Sequence, residues 1–334
     1  MKIAFFELEQ WEKEYLTQKL AKHQLFLFHH ALTIKDVKTI KDIDCLSSHV
    51  YSDCSAKVLS QLPKLKYIAT LSTGYDHIDL SYCKQKGIVV MNVPTYGENT
   101  VAEFTFALLL ALTRKIYSAI KRVKEENEFY CHSLTGTDLK GKTLGVFGTG
   151  AIGSHVIRIA HGFDMKILAC SHHPDKELTK RYGVTYVPQT TLFKKADIVT
   201  LHIPYTSENH HLLNKKTLAQ MKKGALLINT ARGALIDTDA LYHALKTKHL
   251  GGAALDVLEM ECEIKEEKQL LSQQFSATCN LKTILENHQL MKMDNVLITP
   301  HNAWHTKEAL ERILDTTITN IASCKKKRIK NKVC

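Results

Sequence analysis

The stretch LGVFGTGAIGSHV, residues 144–156, constrains this chain more than any other. An apolar run ends in Gly148-x-Gly150-x-x-Gly153, and an amphipathic pattern, AIGSHVIRIAHG, begins inside the same motif. Each glycine meets a separate steric demand. Gly148 permits the tight turn out of a strand, Gly150 lets the backbone approach a pyrophosphate, and Gly153 brings helix and strand together. The helix N-terminus then supplies unpaired N–H groups to an anion. Strand, turn and helix in this order predict a dinucleotide-binding βαβ unit; a purely structural tight turn is the plainer alternative.

The rest of the chain repeats the rhythm. MKILAC, DIVTL, ALLIN, GGAALDV and NVLITP follow as short apolar runs, most of them separated by helix-like stretches. Such spacing indicates a parallel sheet covered on both faces. KIAFF, LFLFHH, SSHVY, LKYIATL and IVVMNV in residues 1–95 predict a second, smaller α/β unit. Between the two, GENTVAEFTFALLLALTRKIYSAIKRVKE reads as one long helix capped by Asn99 or Thr100. It is apolar on several faces and so should be central or packed on a partner subunit. EIKEEKQLLSQQFSATCNLKTILENHQLMKM interrupts the strand rhythm and reads as a surface excursion.

Composition narrows the class. The longest apolar block, FALLLALTRKI, meets Arg114 well short of a bilayer crossing, so no membrane association and a soluble, cytoplasmic protein are expected. Nine cysteines without a C-x-x-C pair point to free thiols in a reducing compartment. The net charge of +11 could mean nucleic acid, but the tail KKKRIKNK contributes six of those charges. A solvated, disordered basic tail is the simpler reading, and nucleic-acid binding is not expected.

Three segments carry groups that a small-acid redox site needs. LINTARGALIDTDAL places Arg232 just past a strand, where a guanidinium can grip a carboxylate at two points. ALDVLEMECE supplies Asp256, Glu259 and Glu261, and LITPHNAWHT places His301 past another strand end, where it can exchange a proton. In isolation these could be a surface ion pair, loop acids and a polar cap. Their common position after strand ends, where ligands bind in such sheets, favours a site. In ACSHHPD, Ser171 falls where an Asp or Glu commonly holds the adenosine ribose. With His172, His173, Lys176 and Arg181 nearby, the negative charge that would repel a 2′-phosphate is missing. No metal site is expected there, because adjacent histidines cannot easily point at one ion.

GTGAIG, LHIPYTSENHHLLN, LINTARGALIDTDAL, ALDVLEMECE and ITPHNAW, in this order and spacing, resemble the D-isomer-specific 2-hydroxyacid dehydrogenases, most closely their D-lactate dehydrogenase branch. The resemblance runs nearly end to end. It implies two Rossmann-like α/β domains: a dinucleotide-binding domain over 100–300, inserted into a discontinuous catalytic domain made of 1–99 and 301–334. It also implies a homodimer joined through the helix near residues 100–120, and NAD as cofactor, with NADP admitted by Ser171. The implied reaction interconverts a small 2-oxo acid and its D-2-hydroxy acid. Arg232 would bind the substrate carboxylate, His301 would be the acid/base, and Glu261 would pair with His301. Thr73 and Gly74 would help hold the carboxylate, while Tyr51 and Tyr96 shape the pocket. Ala151 and Ile152 would meet the pyrophosphate, Ile203, Pro204 and Asn209 the adenosine side, and Thr230, Ala231 and Asp256 the nicotinamide. ELEQWEKEY has no arginine where some lactate enzymes present one, which leaves room for a larger or less polar side group, with Trp304 lining the pocket. The same family includes transcriptional corepressors that use this fold to sense a dinucleotide, and that is the competing reading.

Overall fold

The computed structural model describes residues 1–261, 281–324 and 329–334. Two compact units emerge, Met1–Gly97 with His305–Cys334, and Glu98–Trp304. The first holds β1 (Lys2–Phe5), β2 (Gln24–Leu27), β3 (Cys45–Ser47), β4 (Tyr67–Ala69) and β5 (Val89–Met91). The second holds β6 (Thr143–Phe147), β7 (Lys166–Cys170), β8 (Thr185–Tyr186), β9 (Ile198–Leu201), β10 (Ala225–Asn229), β11 (Leu250–Leu255) and β12 (Val296–Ile298).

Both sheets are parallel, as their short unbroken apolar runs require. In the second unit, helices cover both faces. Leu192, Phe193, Leu241 and Leu245 pack in one buried cluster, while Leu108, Leu109, Val156 and Ile157 pack in another. The strand order is β2-β1-β3-β4-β5 in the first sheet and β12-β11-β10-β9-β6-β7-β8 in the second. The direction of winding therefore reverses between β1 and β3, and between β6 and β9. Such switch points leave a crevice beyond the strand ends, and the glycine motif follows β6.

Four expectations differ from what the structure shows. The strand expected over SSHVY ends at Ser47, so Tyr51 lies in the loop beyond β3. The long helix is two: Glu98–Thr113 and Ile116–Glu125. Lys115 turns to φ 51°, and the Thr113 carbonyl accepts the Thr137 N–H instead of continuing the ladder. Asn99 and Thr100 sit inside the first turn rather than capping it. The apolar girth of the first helix is also covered from within its own unit, against Ala151–Gly162 and the strands β10 to β12. The outward apolar face belongs to the second helix, where Ile116, Tyr117, Ile120 and Val123 are exposed.

The third difference concerns the end of the basic tail, whose residues 325–328 lie outside the described residues. Its last residues dock along β5: Val333 N–H donates to Val90 O (2.8 Å), Val90 N–H to Cys334 O (3.2 Å) and Asn92 N–H to Asn331 O (3.1 Å). An unpaired edge strand offers such bonds to any chain, and here the chain's own terminus takes them. Lastly, Leu281–Met291, expected to be part of a surface excursion, is a helix that buries Thr283, Ile284, Asn287 and Leu290; the remainder of the excursion, 263–280, lies outside the described residues. No helix among the described residues is long and apolar enough to cross a membrane.

Candidate active site

Every site residue expected in the second unit follows the carboxyl end of a strand. Gly148 to Gly153 follow β6, Ser171 follows β7, and Ile203, Pro204 and Asn209 follow β9. Thr230, Ala231 and Arg232 follow β10, Asp256 to Glu261 follow β11, and His301 follows β12. Parallel strands alone guarantee that these loops share one edge of the sheet.

The glycine loop has the shape its sequence demands. Gly148 sits at φ 86°, and a Cβ there would lie 2.3 Å from the His202 carbonyl oxygen. A Cβ on Gly153 would lie 2.0 Å from Gly148 O, so helix Ala151–Gly162 can approach β6 only with glycine at that position. At Gly150 a Cβ would meet nothing within 4 Å, which leaves open space beside the backbone at the helix N-terminus. This cradle fits a dinucleotide pyrophosphate. His202 backs the loop: its Nε2 contacts Thr200 Oγ1 at 2.9 Å, and burial pushes its imidazole down to about 3, so it stands neutral.

Ser171 Oγ lies 3.4 Å from both the N–H and the carbonyl of His173, so it shapes its own turn. Arg181 pairs with Glu177 at 3.3 Å on an exposed surface, and Asp175 caps the next helix by accepting the Glu177 N–H. The local acids are thus engaged with the helix, while His172 and His173 are exposed. Asn209 accepts the Thr206 N–H and donates to Pro204 O, both at 2.8 Å, and so holds the loop after β9 in shape.

The expected histidine–carboxylate contact is direct. His301 Nδ1 lies 2.6 Å from Glu261 Oε1, and the other Glu261 oxygen accepts the Leu258 N–H at 3.1 Å. His301 itself is at φ 51°, an uncommon conformation for a non-glycine residue. Asp256 explains how it is held. The His301 N–H donates to the Asp256 carbonyl (2.8 Å), and the buried Asp256 carboxylate accepts from Thr299 Oγ1, Asn302 N–H and Ala303 N–H at 2.6 to 3.0 Å. Burial nevertheless pushes the Asp256 carboxyl above its ordinary value, against the lowering effect of those bonds. Trp304 Nε1 donates to His301 O at 2.9 Å, closing the turn.

Arg232 opens the loop after β10, its carbonyl accepting from Asn229 Nδ2 at 2.9 Å and its Nη1 donating to Ala231 O at 2.8 Å. Thr230 Oγ1 lies 3.0 Å from Thr105 Oγ1. Gly233, which the sequence motifs do not single out, is essential to this placement: a Cβ would fall 2.0 Å from the Leu258 carbonyl carbon. The Arg232 loop and the Asp256–Glu261 segment can therefore cross backbone to backbone. Tyr186 was missed as well. Its hydroxyl accepts the Asp175 N–H (2.9 Å) and donates to Thr149 Oγ1 (3.2 Å), tying the Ser171 loop to the glycine loop. A glycine beside the arginine was a readable signal; a lone tyrosine was not.

In the first unit, Tyr51, Thr73 with Gly74, and Tyr96 lie in the loops after β3, β4 and β5. Glu7 holds the first of these loops, accepting from Tyr51 N–H (3.2 Å) and Ser52 Oγ (2.6 Å). Burial raises the Glu7 carboxyl despite those bonds. Thr73 Oγ1 donates to Val93 O, Ser72 Oγ to Gly74 O and Asn92 Nδ2 to Thr73 O, fixing the second loop. Arg312 Nε donates to Tyr96 O. A cavity of about 990 Å³ lies at the opposite, amino ends of the second sheet, lined by Lys142, Asp197, Gly224 and Asn295 among others, and has no part in this site.

Comparison with known proteins agrees with these features. Residues 106–303 match the model of the D-isomer specific 2-hydroxyacid dehydrogenase NAD binding domain. The D-lactate dehydrogenase of Escherichia coli K12 is 37% identical over 330 residues, 98% of this chain and 97% of that one. The chain belongs to the D-isomer specific 2-hydroxyacid dehydrogenase family. It is thus an oxidoreductase with an NAD-binding domain. An aromatic 2-oxoacid reductase of Clostridium sporogenes is 38% identical over 300 residues, 86% of this chain and 87% of that one. The D-lactate dehydrogenase structure from Aquifex aeolicus, complexed with NAD and lactic acid, aligns with a TM-score of 0.83 at 36% identity, covering 96% of this chain and 94% of that one.

Proposed function

We propose that this member of the family reduces a small 2-oxo acid to its D-2-hydroxy acid, and catalyses the reverse, using NAD(P) with His301 as acid/base. The observation that carries this reading is the 2.6 Å contact between His301 Nδ1 and Glu261 Oε1, on loops that share a sheet edge with the glycine cradle. A carboxylate on Nδ1 fixes the tautomer and the orientation of the ring, leaving Nε2 to exchange a proton with a carbonyl oxygen. Arg232 grips the substrate carboxylate and orients its carbonyl. Thr73 and Gly74 contribute backbone contacts, and Tyr51 and Tyr96 bound the side group. Gly148, Gly150, Ala151, Ile152 and Gly153 hold the pyrophosphate, Ile203, Pro204 and Asn209 the adenosine side, and Thr230, Ala231 and Asp256 the nicotinamide side. When bound, the nicotinamide supplies or takes up the hydride. Asp256 acts mainly by position, through the turn that presents His301.

The substrate side group is larger than a methyl. Support comes from the two tyrosines, from the absence of arginine in ELEQWEKEY and from the aromatic 2-oxoacid reductase among the relatives. Ser171, with exposed His172 and His173, admits NADPH beside NADH. Steady-state oxidation of NADH and NADPH against pyruvate, glyoxylate, hydroxypyruvate and phenylpyruvate tests the reading. Turnover is expected with at least one acid, with phenylpyruvate above pyruvate, and Ser171→Asp should depress NADPH use selectively. No turnover with any of the four would remove the enzymatic reading, and equal loss with both cofactors would remove the role of Ser171.

The protein acts as a homodimer in a reducing cytoplasm. The exposed Ile116, Tyr117, Ile120 and Val123 on one helix, beside the cavity at the amino ends of the strands, support a second copy as the partner. The described cysteines, as free thiols, fit the compartment. Sedimentation should show twice the chain mass, and a monomer at micromolar concentration would overturn the dimer.

A further inference from the structure

A second cluster of ligating side chains lies outside the acid–base pair. His210, His211 and Glu259 each bring a ligand atom within 4.8 Å of the others. We propose that these three residues form a binding site for a zinc-class divalent ion, which clamps the loop after β9 to the segment after β11.

The histidines are adjacent in sequence, an arrangement that usually sends two rings apart. Here the rings stack with centroids 3.8 Å apart and planes 23° apart, so the two side chains lie side by side. Beside His211 is a held carboxylate. Glu259 Oε1 lies 2.7 Å from His211 Nε2, while Oε2 accepts from Thr238 Oγ1 at 2.8 Å. The Glu259 carbonyl in turn accepts from Asn287 Nδ2 at 2.8 Å. Metal ligands oriented in this way by outer hydrogen bonds are the ones that bind tightly.

An ion takes the place of the contact between His211 Nε2 and Glu259 Oε1. Zinc–nitrogen and zinc–oxygen bonds of about 2.1 Å in tetrahedral geometry require the two atoms, 2.7 Å apart, to part by only about 0.7 Å. His210 completes the set by a side-chain rotation. It is exposed, and its only described anchor beyond the stacked ring is Tyr205, whose hydroxyl lies 3.4 Å from Nδ1. Water fills the fourth position. Two imidazoles and one carboxylate suit zinc, nickel or copper rather than magnesium or calcium, which prefer oxygen ligands alone. The exposed pair His172 and His173 lacks such a carboxylate partner among the described residues.

The test uses the full-length protein freed of metal by chelation and dialysis, with no substrate or dinucleotide present, so its failure is separate from any failure of the proposed catalysis. Cobalt(II) should bind at one equivalent, with visible d–d bands and without the near-ultraviolet bands of thiolate ligation. Zinc should displace it, and magnesium should not. Zinc should also raise the unfolding temperature, since an ion that binds only the folded chain stabilises it. His210→Ala, at an exposed position, should fold normally yet lose at least roughly tenfold in cobalt affinity. Glu259→Gln should lose as much, with circular dichroism confirming its fold. No cobalt uptake, thiolate bands, or an unchanged affinity in His210→Ala would overturn the site.

Discussion

His301→Ala should lower kcat by roughly 10²–10⁴-fold, the range that a positioned general acid contributes. Dinucleotide affinity should change little. In the sheet order, β12, which leads to His301, lies four strands from β6, which leads to the glycine cradle, roughly 19 Å at the usual strand spacing. The substitution also places alanine at φ 51°, a conformation that costs of order 1 kcal/mol or more. His301→Asn separates the two effects, because asparagine tolerates that region while it cannot transfer the proton. Both variants should be equally slow if proton transfer is what was lost. Glu261→Gln should slow turnover as well, and combining it with His301→Ala should add little, since the two side chains work as one unit at 2.6 Å. Turnover within a few-fold of the parent in His301→Asn would end the acid/base assignment.

Arg232→Lys keeps the charge and removes the planar fork. The expected loss in kcat/KM with a 2-oxo acid is about 10- to 150-fold, matching the 1.5–3 kcal/mol of a hydrogen bond to a charged group. An internal control is available in the substrate. A 2-oxo amide, which has no carboxylate to grip, should be turned over poorly by the parent and about equally poorly by the variant. If the variant loses as much with the amide as with the acid, Arg232 supports the loop rather than the substrate. Its bonds to Ala231 O and from Asn229 are the local contacts through which such a role would act. Gly233 beside it makes the loop unforgiving, because the backbone of Leu258 passes where a Cβ would stand.

The features legible in sequence were those carried by short-range geometry. The turn out of β6 needs glycine at Gly148 and Gly153 for contacts within a few residues of each other or of the next strand end, so the motif could be recognised alone. Parallel strands were legible as apolar runs, and Arg232, Asp256 and His301 as polar residues just past them. Local pattern failed where a distant segment intervened. The helix over 97–125 breaks because Thr137 takes the Thr113 carbonyl, and no periodicity reports that competition. The tail looked solvated because its charges dominate its composition. The backbone of its end, from Asn331 to Cys334, nevertheless finds the open edge of β5, where hydrogen bonds ignore side-chain charge.

By itself, then, the sequence determined an α/β chain with a dinucleotide cradle and a set of polar residues at strand ends. Those outcomes follow from steric and apolar preferences that act within about ten residues. Only the tertiary structure decided which polar groups meet. Glu261 and His301 are 40 residues apart in the chain and 2.6 Å apart in space. Glu259, only two residues from Glu261, turns instead to His211. Strand ends on one edge of the sheet bring such groups together, and hydrogen bonds from Leu258, Thr238 and Asn287 then select which acid faces which histidine.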